Sequence, residues 1–181
     1  MTIKSFGDKK IIIRKLMKED LKIADKFRDF INSLVAEDAK IAMNKKIDLK
    51  GERKFLSDTL NSIKNKKRVY LVAECDDKII STASITQLAW RSNHVGELGG
   101  ISVKDGYRRL GLGKYMMAQI IKLAEKELNP KPKIIRLFVY INNTPAIGLY
   151  KKLGFKKVAK LPKHIQYKGK LIDEFAMILE L

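Results

Sequence analysis

Within Gly99–Leu123 (GGISVKDGYRRLGLGKYMMAQIIKL) an apolar run enters a basic turn punctuated by Gly111 and Gly113, and an amphipathic helical pattern follows. Such a turn can hold an anion. Glycine lets the backbone come close to a ligand, and the first N–H groups of a helix lack acceptors of their own, so they and the helix dipole attract negative charge. Arg108, Arg109 and Lys114 add positive charge around the turn. A lone G-x-G is weak evidence, because a solvated, glycine-rich helix start reads the same way. The competing phosphate motifs fit worse. A dinucleotide fingerprint requires a third glycine at 116, where Met116 stands, and a Walker loop requires Ser or Thr after its lysine, where Tyr115 follows Lys114.

The elements that must position this turn follow from hydrophobic period and punctuation. Lys10–Leu16 is β-branched and predicts a first strand. From Asp20 a helical face runs through Leu21, Ala24, Phe27, Ile31 and Leu34; residues 35–46 have no clean period and predict a loop or a broken helix. Asp48 is a candidate N-cap for a helix over 49–64. Two alternating strands around Asp76-Asp77 predict a hairpin, and 95–103 predicts a further strand with a bulge at Gly99-Gly100. The helix after the glycine turn buries Met116, Met117, Ile120, Ile121, Ala124 and Leu128. Asn129-Pro-Lys-Pro ends it, and Ile134–Tyr140 predicts a central strand. Thr144-Pro145 predicts a capped helix start and Gly154 its stop; a hairpin over 156–160 and 171–181 closes the chain.

The order β, α, α, β, β, β, α, β, α, β, β predicts one α/β (α+β) domain over residues 1–181, with about seven strands and four helices. With 38 Lys plus Arg against 20 Asp plus Glu, the chain carries +18, a field that suits polyanionic partners as well as solubility. The single cysteine, Cys75, sits in an apolar run and forms no intrachain disulfide; it reads as a small buried hydrophobe. Beyond it only His94 and His164 are soft ligands, so no metal site is expected, and both histidines read as exposed loop residues. No run is long and apolar enough for a membrane span or signal peptide, and the expected location is cytoplasmic.

Two motifs together carry a family resemblance. Arg108-Arg109-Leu110-Gly111-Leu112-Gly113 matches the pattern Q/R-x-x-G-x-G/A, after the strand Ile101-Ser102-Val103 and before a helix. Asn143, Ala146, Leu149-Tyr150 and Gly154-Phe155 match a second signature in the right order. The chain resembles the GCN5-related N-acetyltransferases, the GNAT superfamily, over nearly its whole length. The resemblance implies a mixed sheet splayed around an acetyl-CoA cleft and direct acetyl transfer to a primary amine, with acetyl-CoA as co-substrate and no metal. It implies that the N–H groups of Arg109, Leu110, Gly111, Leu112, Gly113 and Lys114 hold the pyrophosphate, with Arg108 in support. Ile101, Ser102 and Val103 would pair with the pantetheine arm, and Asn143 or its neighbour Asn142 would contact it; helix capping is the other reading of the asparagines.

By the same resemblance Tyr150 is the general acid for the departing thiolate. Glu97, six residues before Val103, is the candidate general base, with ordered water as the alternative. Strand alternation puts Glu97 on one face with Gly99, Ile101 and Val103 if the bulge leaves the count intact. Acceptor contacts are expected at Trp90, His94 and the loops at 35–46 and 162–170, where Glu37, Asp38 and Glu97 could form an acidic pocket. The acceptor is a protein or small-molecule amine; an acidic protein or ribosomal partner and a homodimer are compatible, and nucleic acid is not required. The competing function is a basic RNA- or ribosome-associated module that keeps the core without catalysis.

Overall fold

The computed structural model describes residues 1–181. Strands β1 (Thr2–Phe6) and β2 (Lys9–Lys15) lead into a 3-10 turn over Lys18–Ile23, then helices α1 (Ala24–Ala36) and α2 (Leu49–Lys64). Strands β3 (Arg68–Cys75), β4 (Lys78–Gln87), β5 (Val95–Leu98) and β6 (Ser102–Val103) precede helix α3 (Leu112–Glu127). Strand β7 (Ile134–Tyr140), helix α4 (Thr144–Lys152), β8 (Lys156–Tyr167) and β9 (Lys170–Glu180) complete the fold. The sheet order is β1-β2-β3-β4-β5-β7-β9-β8, with β6 also on β4. Only the β5–β7 pair is parallel, because α3 makes the crossover between them.

Two layers cover the sheet. Val69, Leu71, Ile85, Ile135 and Leu137 face α3, whose Leu112, Met116, Met117 and Ile120 are fully buried against them. Tyr70, Val72 and Ile79 face the other way, onto Phe27, Phe30 and Leu34 of α1 and Leu56 of α2. The entry to α1 is pinned by Asp20. Its carboxylate accepts from Arg14 at 2.6 and 2.8 Å and from the Met17 N–H at 2.8 Å, while Arg14 also pairs with Glu74. This is why the expected helix from Asp20 begins instead as a 3-10 turn and becomes α-helical at Ala24.

The sheet has nine strands where about seven are expected. Strand β1 is exposed at four of its five positions and joins β2 through its backbone, so it carries no apolar alternation. The single strand expected over 95–103 is divided into β5 and β6 by a bulge. Leu98 pairs with Ile85, whereas Val103 pairs with Ser81, a slip of one residue. Gly99 approaches β4 so closely that a Cβ there would stand 2.9 Å from Ser84 Oγ, and Gly100 has φ +61°. The β3–β4 turn forms without glycine because Asp76 and Asp77 both take left-handed backbone, at φ +49° and +57°.

Helix α2 matches its expected bounds, with the Asp48 carboxylate accepting from the Gly51 N–H at 2.7 Å. It also buries Glu52, 5% exposed, and burial pushes that carboxyl up to about 7 from 4.5. Between those values the folded chain holds a proton that the unfolded chain has lost, so stability falls as pH rises across the window, by about 3 kcal/mol in all. Glu52→Gln should remove that slope. Urea unfolding at pH 5 and pH 8 checks it: the variant gains over wild type at pH 8, and an equal difference at both pH values rules the assignment out.

Candidate active site

The parallel register of β5 and β7 covers Val95 with Ile134, Gly96 with Ile135 and Glu97 with Arg136, and then stops. Beyond it β5 turns into the bulge, and the edge of β7 from Leu137 to Tyr140 that faces it has no strand partner; the other edge pairs with β9. The sheet is therefore split open on one side of its centre. Lys104 N–H donates to Ile80 at 2.8 Å across β4, so by alternation the N–H of Val103 points into the opening.

The glycine turn lies at the mouth of that opening. None of the backbone N–H groups from Arg108 to Lys114 donates a hydrogen bond within the chain; the first in α3 that does is Tyr115, to Gly111 at 3.1 Å. Arg109 at φ +63° and Gly111 at φ +87° fold the chain into the concave turn that exposes them. A Cβ on Gly113 would lie 3.7 Å from Val103 Cγ2 and 3.8 Å from Leu149 Cδ2, so β6, the turn and α4 meet here. Arg108 supports the turn: its Nε donates to the Val103 carbonyl at 2.8 Å and its guanidinium pairs with Glu37 at the end of α1. The structure thus brings together Ile101, Ser102, Val103, the whole of 108–114 and α4.

Tyr150 on α4 is 7% exposed, its ring 5.8 Å from Phe155. Burial pushes its phenol up to about 12, and the hydroxyl has no hydrogen-bond partner in the chain. A protonated donor over the whole neutral range is what a departing thiolate requires. Asn143 caps α4, its side chain accepting from the Ala146 N–H at 3.4 Å, so the cap is Asn143 and Thr144 opens the helix. The Asn142 carbonyl accepts from Lys40 at 2.6 Å.

Glu97 does not share a face with Val103. The slip at the bulge leaves Glu97 in the row Arg68, Thr86, Glu97, Arg136 on the α2 side, while Val103 lies against Ser81 and Ala73 on the α3 side. There Arg136 Nε donates to Glu97 Oε2 at 3.0 Å. The three acids expected to share a pocket are each given a cation: Glu37 has Arg108, Asp38 lies 3.3 Å from Lys168, and Glu97 has Arg136.

Two of the expected acceptor loops do meet. Tyr140 donates to the Ile41 carbonyl and Tyr167 to that of Asp38, both at 2.8 Å, and between them lies a cavity of about 270 Å³ lined by Val35, Ala39, Met43, Tyr140 and Tyr167. Trp90 and His94 instead precede β5, at the closed end of its pairing with β7. His164 is not a loop residue: it lies in β8, with Nδ1 2.7 Å from Glu174. No sequence signal marks this pair, which two irregular strands bring together.

The comparisons with known proteins agree with this architecture. The family model described as Acetyltransferase (GNAT) family matches residues 34–155. An N-alpha-acetyltransferase of Sulfurisphaera tokodaii is 30% identical over 128 residues, covering 66% of this chain and 73% of that protein. Among solved structures, a GNAT-family acetyltransferase of Streptococcus pneumoniae superposes with TM-score 0.81 at 23% identity, over 94% of this chain and 99% of the other. YncA of Salmonella typhimurium, solved with its cofactor acetyl-CoA, gives 0.76 at 20% identity, over 94% of each. With a split sheet, an exposed row of N–H groups at the head of α3 and a family model that spans most of the chain, the protein belongs to the acetyltransferase (GNAT) family.

Proposed function

We propose that this chain transfers the acetyl group of acetyl-CoA to the α-amino group of a polypeptide or amino acid. The observation that carries the reading is the unpaired N–H row from Arg108 to Lys114, set where β5 and β7 part. It suits a pyrophosphate: several backbone donors are free within one turn, the dipole of α3 adds to them, and Gly111 brings no side chain of its own. The free edge beside Ile101, Ser102 and Val103 suits the amide-bearing arm, which can extend into the opening as an added strand. Acetyl-CoA supplies an activated acyl carbon. In this reading the Val103 N–H stabilises charge on the acyl oxygen and Tyr150 protonates the sulfur.

The acceptor enters from the α2 side, where Glu97, Arg136 and the cavity between the two tyrosines lie. Glu97, paired with Arg136, gives a cationic ammonium a carboxylate to approach and serves as its docking anion. The α-amino class is supported by the chemistry named for the Sulfurisphaera tokodaii relative, an N-alpha-acetyltransferase. Acetyl-CoA should raise the melting temperature by mass action. In a panel of pentapeptides, free amino acids and polyamines, release of free CoA should be fastest with an α-amino acceptor. Turnover confined to polyamines would overturn the acceptor class while leaving acetyl transfer intact.

A further inference from the structure

Strands β8 and β9 slip register at two places, a one-residue slip between Lys157 and Ala159 and a larger one beyond Leu161. Leu161 faces Glu174 and Ile165 faces Ile172, so Pro162, Lys163 and His164 oppose the single residue Asp173. Lys163 is forced to φ +54° there, a left-handed conformation that costs a non-glycine residue about 1 kcal/mol or more. Asp173 pins the excursion from the far face, accepting from the Lys163 N–H at 2.9 Å and pairing with Lys160 at 2.7 Å. Bulges of this kind re-aim a side chain. The one re-aimed here is His164, carried back over β9 until Nδ1 meets Glu174 Oε2 at 2.7 Å and the ring lies 6.1 Å from that of Phe138 on β7.

The pair is built asymmetrically. Glu174 is buried, 6% exposed, while the His164 side chain is 53% exposed. An ionised carboxylate can only accept, so the contact favours the N–H on Nδ1, and in the neutral ring that leaves the lone pair on Nε2. Phe138 is open to the acceptor face. Arg136 covers the other part of its ring at 5.2 Å and carries Glu97, so Glu97 and His164 flank one aromatic platform beside the split in the sheet. Beside the histidine, Lys163 has no side-chain partner and its charge acts on Asp173; the other charged and titratable groups nearby are paired. Tyr140, which pairs with Glu174 across β7 and β9, donates to Ile41; Lys160 is taken by Asp173, Lys168 by Asp38 and Lys40 by Asn142.

We infer that His164, oriented by Glu174, is the group that takes the proton from the acceptor ammonium, and that Glu174 is its positioning residue. The inference rests on the acetyl-transfer reading above. Nε2 removes one proton from the ammonium and passes it to solvent. The freed nitrogen lone pair forms the bond to the acyl carbon as the carbon–sulfur bond breaks. Tyr150 gives its proton to the sulfur and regains the one the nitrogen loses as the amide forms. Atoms and charge balance: one amide, one thiol and one proton leave.

The test uses the full chain with acetyl-CoA and pentapeptides bearing free α-amino ends. His164→Gln should lower kcat/KM about 100-fold at pH 7. The loss should narrow above about pH 8, where an α-amino group arrives already deprotonated. Its response to acetyl-CoA in a thermal melt should be that of wild type, and Glu97→Gln should raise the acceptor KM without that pH-dependent narrowing. With only two histidines in the chain, 15N-histidine NMR reads the ring directly: His164 should be the Nδ1–H tautomer, and Glu174→Gln should release it. A loss in His164→Gln that is equal at all pH values, or no loss, overturns the role, as does an Nε2–H tautomer in wild type. Wild-type protein that acetylates none of the peptides fails the functional reading itself, and this role with it.

Discussion

Gly111→Val eliminates the stabilisation of this protein by acetyl-CoA. Gly111 sits at φ +87°, and nothing lies within 4 Å of the position a Cβ would take. The Cβ therefore meets no neighbouring protein atom, and the main cost to the folded chain is a β-branched residue in left-handed backbone, at least about 1–2 kcal/mol. The valine stands within the N–H row from Arg108 to Lys114, where it should block close approach of a phosphate to the backbone. A ligand at 100 times its Kd stabilises by about 2.7 kcal/mol, several degrees in a melt of a domain this size. In Gly111→Val that shift should be absent while a cooperative melt remains. Gly113→Ala is the control: its Cβ would sit at ordinary contact distances of 3.7 and 3.8 Å from Val103 and Leu149, so it should fold normally and keep part of the shift. A full shift in Gly111→Val would show that the phosphate cradle lies elsewhere.

Tyr150→Phe should separate chemistry from structure. The hydroxyl makes no hydrogen bond in the chain, so its removal should leave stability within about 0.5 kcal/mol and the Phe155 contact unchanged. Turnover should fall roughly 100-fold, with acetyl-CoA binding retained, because only the proton for the leaving sulfur is lost. The sign of its titration adds a check. Burial raises the phenol to about 12, so the proton is kept as pH rises, and the wild-type rate should show no tyrosine-dependent fall below about pH 10. Rates equal to wild type in the phenylalanine variant would remove Tyr150 from the mechanism.

Much of the scaffold was legible because its determinants are local. Helix α2 and strand β7 have the expected bounds, the first set by the Asp48 cap and a periodic apolar face, the second by a run apolar enough to sit inside the sheet. The glycine turn was legible too, since free N–H groups at a helix start follow from the chain's own covalent geometry. What was not legible depends on distant partners. The one-residue slip that separates Glu97 from Val103 arises where Gly99 closes on Ser84, and the Ser84 hydroxyl donates to the Gly99 carbonyl at 2.7 Å. Strand β1 exists because β2 lends it a backbone edge, and His164 reaches Glu174 because Asp173 holds a bulge on the opposite face. Neither residue type nor spacing announces such pairings.

The central claim is that the split sheet and its N–H row serve acetyl transfer to an amine nitrogen. Incubation with acetyl-CoA and an α-amino pentapeptide, followed by mass spectrometry of the peptide, tests it most directly. The peptide should gain one acetyl group on its terminal nitrogen in proportion to the CoA released, and Tyr150→Phe should slow both together. Tight acetyl-CoA binding with no acetylated amine at any pH, or CoA release without a modified acceptor, would contradict it.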